Sequence, residues 1–157
     1  MTRYVEISLT PAEMMLCAHA GIMRRIENYK KSAVGKYNFP SNAPLWQIDI
    51  EGCIGEYVVS KYLNIFWLGK GTQKAPDLSN GDEVRISDTH TNRLILHKDD
   101  RDDARYWFVT GANGAYRIHG WVYGLDGKDA RYWADPHGGR AAYFIPTEAL
   151  IAPDWKG

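Results

Sequence analysis

Ala75-Pro76-Asp77-Leu78-Ser79-Asn80-Gly81-Asp82-Glu83-Val84-Arg85-Ile86 is the stretch on which the fold turns. Asn80-Gly81 lies next to a run of β texture, and Asn-Gly between such runs signals a hairpin. On a strand starting near Glu83, side chains alternate. Glu83 and Arg85 share one face, while Val84 and Ile86 share the other and go to the core. Loop length then decides where Asp77 falls. A two-residue loop, Asn80-Gly81, sets Asp77 opposite Val84 and on the wrong face, because a slip of one residue swaps faces. A three-residue loop, Ser79-Asn80-Gly81, with Gly81 in the left-handed region as a bulge, sets Asp77 opposite Glu83. The three-residue loop is the expected arrangement.

Upstream, the chain reads as helical. Thr10-Pro11-Ala12-Glu13 combines an N-cap threonine, a proline at the first helical position and a glutamate placed for a capping box. A helix is expected from there to about Lys31. Met15, Ala18, Ile22 and Ile26 recur at helical spacing as its apolar stripe, and Arg24, Arg25, Lys30 and Lys31 gather near its end, first as a solvated, dipole-favoured group and, as the sharper alternative, as phosphate contacts. Val34 to Pro44 is rich in Gly, Pro, Asn and Ser and reads as a loop. A second helix is expected from about Leu45 to Leu63. It is apolar around so much of its circumference that it must be largely buried. Glu56 shares a flank with Gly52, Val59 and Leu63, where an unpaired carboxylate is costly, so it needs a rim or a partner.

Downstream of Gly69 the texture changes to short β runs: Glu83 to Ser87, Arg93 to His97, Tyr106 to Thr110, Tyr116 to Tyr123 and Ala141 to Ile145. Pro146 to Leu150 can form at most one helical turn. The expected fold is α+β, with N-terminal helices packed on a mixed, mainly antiparallel sheet, in one domain spanning 1–157.

Composition sets limits on function. Of the 157 residues, 45% are hydrophobic and 24% charged, which is ordinary globular usage. Lys plus Arg and Asp plus Glu both number 19, so any basic surface must be local. No run approaches a bilayer-spanning length, and the first ten residues resemble no export signal, so a cytoplasmic protein with no membrane partner is expected. Cys17 and Cys53 stand in neither metal nor redox spacing and read as small core residues in a reducing compartment. The histidines show no zinc spacing. Without a Gly-x-Ser-x-Gly elbow, Walker loop or dinucleotide fingerprint, no nucleotide cofactor is expected. The run Lys98 to Asp103 lacks the glycine and terminal glutamate of a calcium loop and reads as solvated. Tyr116, Trp121, Tyr123, Tyr132, Trp133 and Tyr143 read first as sheet-face packing, with stacking on unpaired bases as the sharper alternative.

Gly52-Cys53-Ile54-Gly55-Glu56, then Pro76-Asp77, then Glu83-Val84-Arg85 resembles the layout of PD-(D/E)XK, or restriction-endonuclease-like, nucleases. The resemblance covers roughly Gln47 to His97, and Tyr116 to Trp121 is similar to small phage-encoded proteins of this type. It implies a restriction-endonuclease-like core and a DNA nuclease dependent on Mg²⁺, with Mn²⁺ as a substitute. Asp77 and Glu83 would be the primary metal ligands, the Val84 carbonyl would help, and Glu56 would bind a second ion or orient a water. Hard carboxylate oxygens suit Mg²⁺, which polarises a phosphodiester and acidifies a bound water.

Two departures matter. Arg85 stands where the family has Lys; it cannot act as a general base, though it can hold a phosphate oxygen and neutralise developing charge. No helix is legible between the strands after Glu83. Two alternatives therefore stay open: an inactive descendant that binds DNA or a protein, and a phage structural or host-takeover protein. Cleavage of both strands would favour a homodimer, but no interface stripe is legible. Taken singly, Asp77 reads as a turn residue and Glu83–Arg85 as a surface pair. Their combination with Glu56 singles them out.

Overall fold

The computed structural model describes residues 3–30, 44–69 and 75–154. Strand β1 (Val5–Ser8) leads into helix α1 (Pro11–Lys30), and α2 (Leu45–Leu63) follows. Then come β2 (Glu83–Ser87), β3 (Leu94–Leu96), β4 (Arg105–Ala112), β5 (Ala115–Tyr123), the short helix α3 (Gly124–Gly127), β6 (Trp133–Ala134) and β7 (Ala142–Ile145). The loop expected at Val34 to Pro44 lies outside the described residues up to Ala43. The fold is α+β with mixed sheets, and no helix among the described residues is long and apolar enough to cross a membrane.

The capping box forms as its residues require. Thr10 N donates to Glu13 Oε1 at 2.8 Å and Glu13 N to Thr10 Oγ1 at 3.2 Å. Glu13 also accepts from Tyr57 Oη and Lys61 Nζ, both at 2.9 Å, which ties the start of α1 to the end of α2. These donors, the Thr10 backbone N–H first, pull the Glu13 carboxyl down to about 2. Between these ends the two helices touch closely. A side chain at Gly21 would meet the Ile50 backbone at 2.6 Å, so only glycine permits this approach.

Four strands form one sheet in the order β1-β5-β4-β2. β1 and β5, and β5 and β4, pair antiparallel; β2 runs parallel to β4, with Glu83 opposite Tyr106 and Arg85 opposite Phe108. Parallel neighbours need a crossover, commonly a helix. Here the crossover, residues 88–104, contains β3 instead. β3, β7 and β6 build a second, antiparallel sheet in the order β3-β7-β6.

Each face of the larger sheet has its own core. Val84, Trp107, Val109 and Ile118 bury against Val58 and Val59 of α2. Tyr106, Phe108 and Val122 bury with Leu94 and Leu96 of β3 and Ile145 of β7. The alternation expected for β2 is therefore met, with Val84 on the α2 side and Glu83 and Arg85 opposite. Between β4 and β5 the register shifts at Phe108/Val109, leaving His119 as the extra residue of a bulge. That is why Tyr116, Ile118 and Trp121 can all join the α2-side core although Trp121 breaks the alternation.

Three expectations are corrected. The segment before Ser79 is not a strand; Asp77 and Leu78 lie in a bend held by hydrogen bonds. β1 forms where none was assigned, because the first residues find an antiparallel partner far along the chain in β5, from Val5 opposite Ile118 to Ser8 opposite Ala115. Most consequentially, α1 faces the other way. Met15 is 73% and Ile22 39% exposed, whereas Arg25 is buried. The arginines turn inward because α2 presents Asp49 and Glu56 to them.

Candidate functional site

The three-residue loop is the one that forms. Leu78 N donates to Asp82 O and Gly81 N to Leu78 O, both at 3.0 Å, with Ser79-Asn80-Gly81 between them and Gly81 at φ 92°. Asn80 and Asp82 brace the turn, Asp82 N donating to Asn80 Oδ1 at 3.0 Å. Asp82, buried, accepts in turn from Trp107 Nε1 at 2.8 Å and Arg105 Nε at 3.0 Å, which anchors the turn to β4.

This loop brings Asp77 to the start of β2. Val84 N donates to Asp77 Oδ2 at 2.9 Å, and Asp77 N to Glu83 Oε2 at 3.3 Å. The two carboxylates converge at the parallel edge of the sheet. Burial first, and then the neighbouring Asp77 carboxylate, pushes the Glu83 carboxyl up to about 7. The nearest cation to Glu83 among the ion pairs is Arg101, at 4.0 Å and half-exposed, which is little compensation.

Glu56 reaches the same neighbourhood from α2. The reason lies in the glycine before it: a side chain at Gly55 would meet Ile86 Cβ at 3.1 Å and Val84 Cγ1 at 3.3 Å. Gly55 lets α2 sit down on β2. Substituting a larger residue there would overpack this contact, at a cost of about 1–3 kcal/mol. Glu56 is 4% exposed, and Arg24 of α1 grips it with both terminal nitrogens, Nη1 to Oε2 at 2.8 Å and Nη2 to Oε1 at 3.2 Å. Burial pushes the Glu56 carboxyl up, and the guanidinium pulls it back; Asp77 is close enough to act on both. The partner that Glu56 required is thus Arg24, not the solvent to which the end of α1 was assigned.

Arg85 points along the sheet to the loop after β3. Its Nη2 donates to Asp100 Oδ1 at 2.9 Å, and its guanidinium lies 5.0 Å from the centre of the Tyr106 ring. Asp100 is buried and also accepts from His97 N at 2.8 Å. Lys128 Nζ closes the loop from below by donating to Asp100 O at 2.6 Å. The acidic run expected to be solvated therefore contains the residue that fixes Arg85. Nothing in the local pattern marks Asp100 among its acidic neighbours; only the spatial meeting with β2 does.

Among the described residues, no group of three or more His, Cys, Asp or Glu side chains stands as a metal cluster. Asp77 and Glu83 form a pair of hard oxygen donors, the number Mg²⁺ commonly takes from protein while keeping waters and substrate phosphate. Cys17 and Cys53 are fully buried, free, and pushed up to about 12 mainly by burial, so neither is a nucleophile. No protein-family model, curated protein or solved structure matches the chain.

Proposed function

We propose that the chain is a metal-dependent DNA nuclease of PD-(D/E)XK type, with Asp77 and Glu83 as its metal-binding pair. One observation carries this reading: two half-buried carboxylates converge, half-exposed Arg101 at 4.0 Å is the cation paired with them, and burial with the mutual repulsion drives Glu83 up to about 7. Such an arrangement costs free energy in the isolated protein and is relieved by a divalent cation. The donor set fits Mg²⁺ or Mn²⁺, with the Val84 carbonyl as a further oxygen. When bound, the ion would polarise the phosphodiester and acidify a water.

The remaining work falls to the chain's own side chains. Arg85, permanently charged and oriented by Asp100, is placed to neutralise charge on a phosphate oxygen. Glu56 is spent on Arg24, so a role for it at a second ion would require that pair to open. The restriction-endonuclease-like core is part of the proposal; the packing of α2 on β2 supports it, and the helix-free crossover departs from it.

The closed Arg24–Glu56 and Arg85–Asp100 pairs favour a second reading, a descendant that binds DNA without cutting it. Incubating linear, circular, single-stranded and branched DNA with Mg²⁺ or Mn²⁺ separates the two. Cutting by the wild type that is abolished by Asp77→Ala and by Glu83→Ala is the expected result. DNA binding with no metal-dependent cutting on any substrate would overturn the nuclease.

A further inference from the structure

Helix α1 turns Cys17, Gly21 and Arg25 inward and leaves an apolar arc outside. Arg24 and Arg25 turn inward to Glu56 and Asp49, and at 3.6 residues per turn this rotates the opposite arc to the surface. That arc carries Ala12, Met15, Leu16, His19, Ile22, Met23 and Ile26. Met15 is 73%, Leu16 52%, Met23 47% and Ile22 39% exposed. It holds no Asp, Glu, Lys or Arg until Glu27 and Lys30 at its C-terminal end. Contiguous exposed apolar surface of this kind marks a contact site.

The spacing of the stripe identifies the occupant. Met15-Leu16 and Ile22-Met23 lie symmetrically before and after His19. A two-fold axis at His19 lays the helix antiparallel against a second copy of itself. Met15 and Leu16 then lie level with the other copy's Ile22 and Met23, and small Ala12 lies level with Ile26. Such self-complementarity is what an isologous interface demands. The antiparallel arrangement also opposes the two helix dipoles and sets Glu27 level with the other copy's Pro11, at the positive end of that helix.

We propose that the outer face of α1 is the interface of a two-fold homodimer, α1 against α1, centred on His19. The contact is independent of the nuclease reading. Specific interfaces begin at about 1,000 Å² over both copies, and a contact through one helix stripe lies at that low end, so the dimer is concentration-dependent. Nucleic acid is a poor occupant, since the stripe offers phosphates no cation before Lys30. A bilayer surface is disfavoured because the stripe carries no Lys or Arg along its length before Lys30 at its end.

Sedimentation equilibrium of the full chain, from low micromolar to submillimolar concentration, tests this. The expected mass rises from 17.8 kDa towards twice that value. Met15→Asp with Ile22→Asp should hold the mass at the monomer value with an unchanged far-UV spectrum. His19→Cys provides a second readout, because Cys17 and Cys53 are fully buried and do not compete. Under mild oxidation it should form a covalent dimer much faster than Arg131→Cys, a well-exposed control. A wild type that stays monomeric throughout, His19→Cys crosslinking no faster than the control, or monomers that bind lipid vesicles through Met15 and Ile22 would each overturn the proposal.

Discussion

Two buried-acid sites lie side by side in this molecule and are settled in opposite ways. Glu56, on α2, is gripped at both oxygens by Arg24, and the pair is closed. Glu83, on β2, meets a second carboxylate instead and is pushed up to about 7. Burial is costly for both. The fold supplies a bidentate cation for the first and only half-exposed Arg101 at 4.0 Å for the second, which is the difference between a closed ion pair and the carboxylate pair on which the proposed metal site rests.

Breaking the closed site should have the largest effect. Arg24→Ala leaves Glu56 buried without a partner and should cost about 3–5 kcal/mol in urea denaturation. Adding Glu56→Gln to that variant should restore part of the loss. A cost under about 1 kcal/mol would mean that the pair is as weak as a surface bridge.

A third buried ionisable group shows how the fold treats a base. His119, in the bulge, lies 2.6 Å from Thr110 Oγ1, which is 2.7 Å from His90 Nδ1. The Thr110 hydroxyl has one proton, so it donates to one ring and accepts from the other. Burial first, then His90 and Arg117, lowers His119 from 6.5 to about 4, against a weaker opposite pull from Glu148. A depressed histidine is neutral when folded and binds its proton more readily when unfolded. Stability should therefore fall as pH drops from 6.5 towards 4, by about 3 kcal/mol in total. His119→Gln should flatten that part of a denaturation series measured across pH; an unchanged slope would assign it to other groups.

Asp100→Ala should cost somewhat less, about 1.5–3 kcal/mol, because it removes a charged hydrogen bond to Arg85 and the acceptor for His97 N. If Arg85 acts on phosphate, cleavage by this variant should lose more in kcat than in KM. Equal loss in both would make Asp100 a folding residue only.

The smallest effect should carry the opposite sign. Asp77→Asn removes a like charge beside Glu83 while keeping an oxygen for Val84 N, and should stabilise the metal-free protein by about 1 kcal/mol. The rise in Tm that Mg²⁺ gives the wild type should vanish with it. Destabilisation instead would mean that Asp77 serves the turn rather than a cation.

The alternation in Glu83-Val84-Arg85-Ile86 and the single glycine at position 81 were legible along the chain because both act within a few residues. So were the capping box at Thr10 and the limits of α2. The rotation of α1 was not, since a helix with hydrophobic residues on one side and arginines on the other can pack either way. Asp49 and Glu56 decided it, from a helix whose approach depends on Gly21 and Gly55. Asp100 was hidden for a similar reason: nothing in the run of four aspartates says which one will face Arg85.

By itself, then, the sequence determined the local geometry of the Asp77–Glu83 turn, the burial of α2 and the free, inert state of its two cysteines, because hydrogen-bonding reach, side-chain period and loop length are short-range properties. Tertiary structure alone decided which cation meets which acid, how β1 pairs, and that α1 shows an apolar face to solvent. Those outcomes depend on charges and surfaces far apart in the chain, whose desolvation cost is settled only when the layers close on one another.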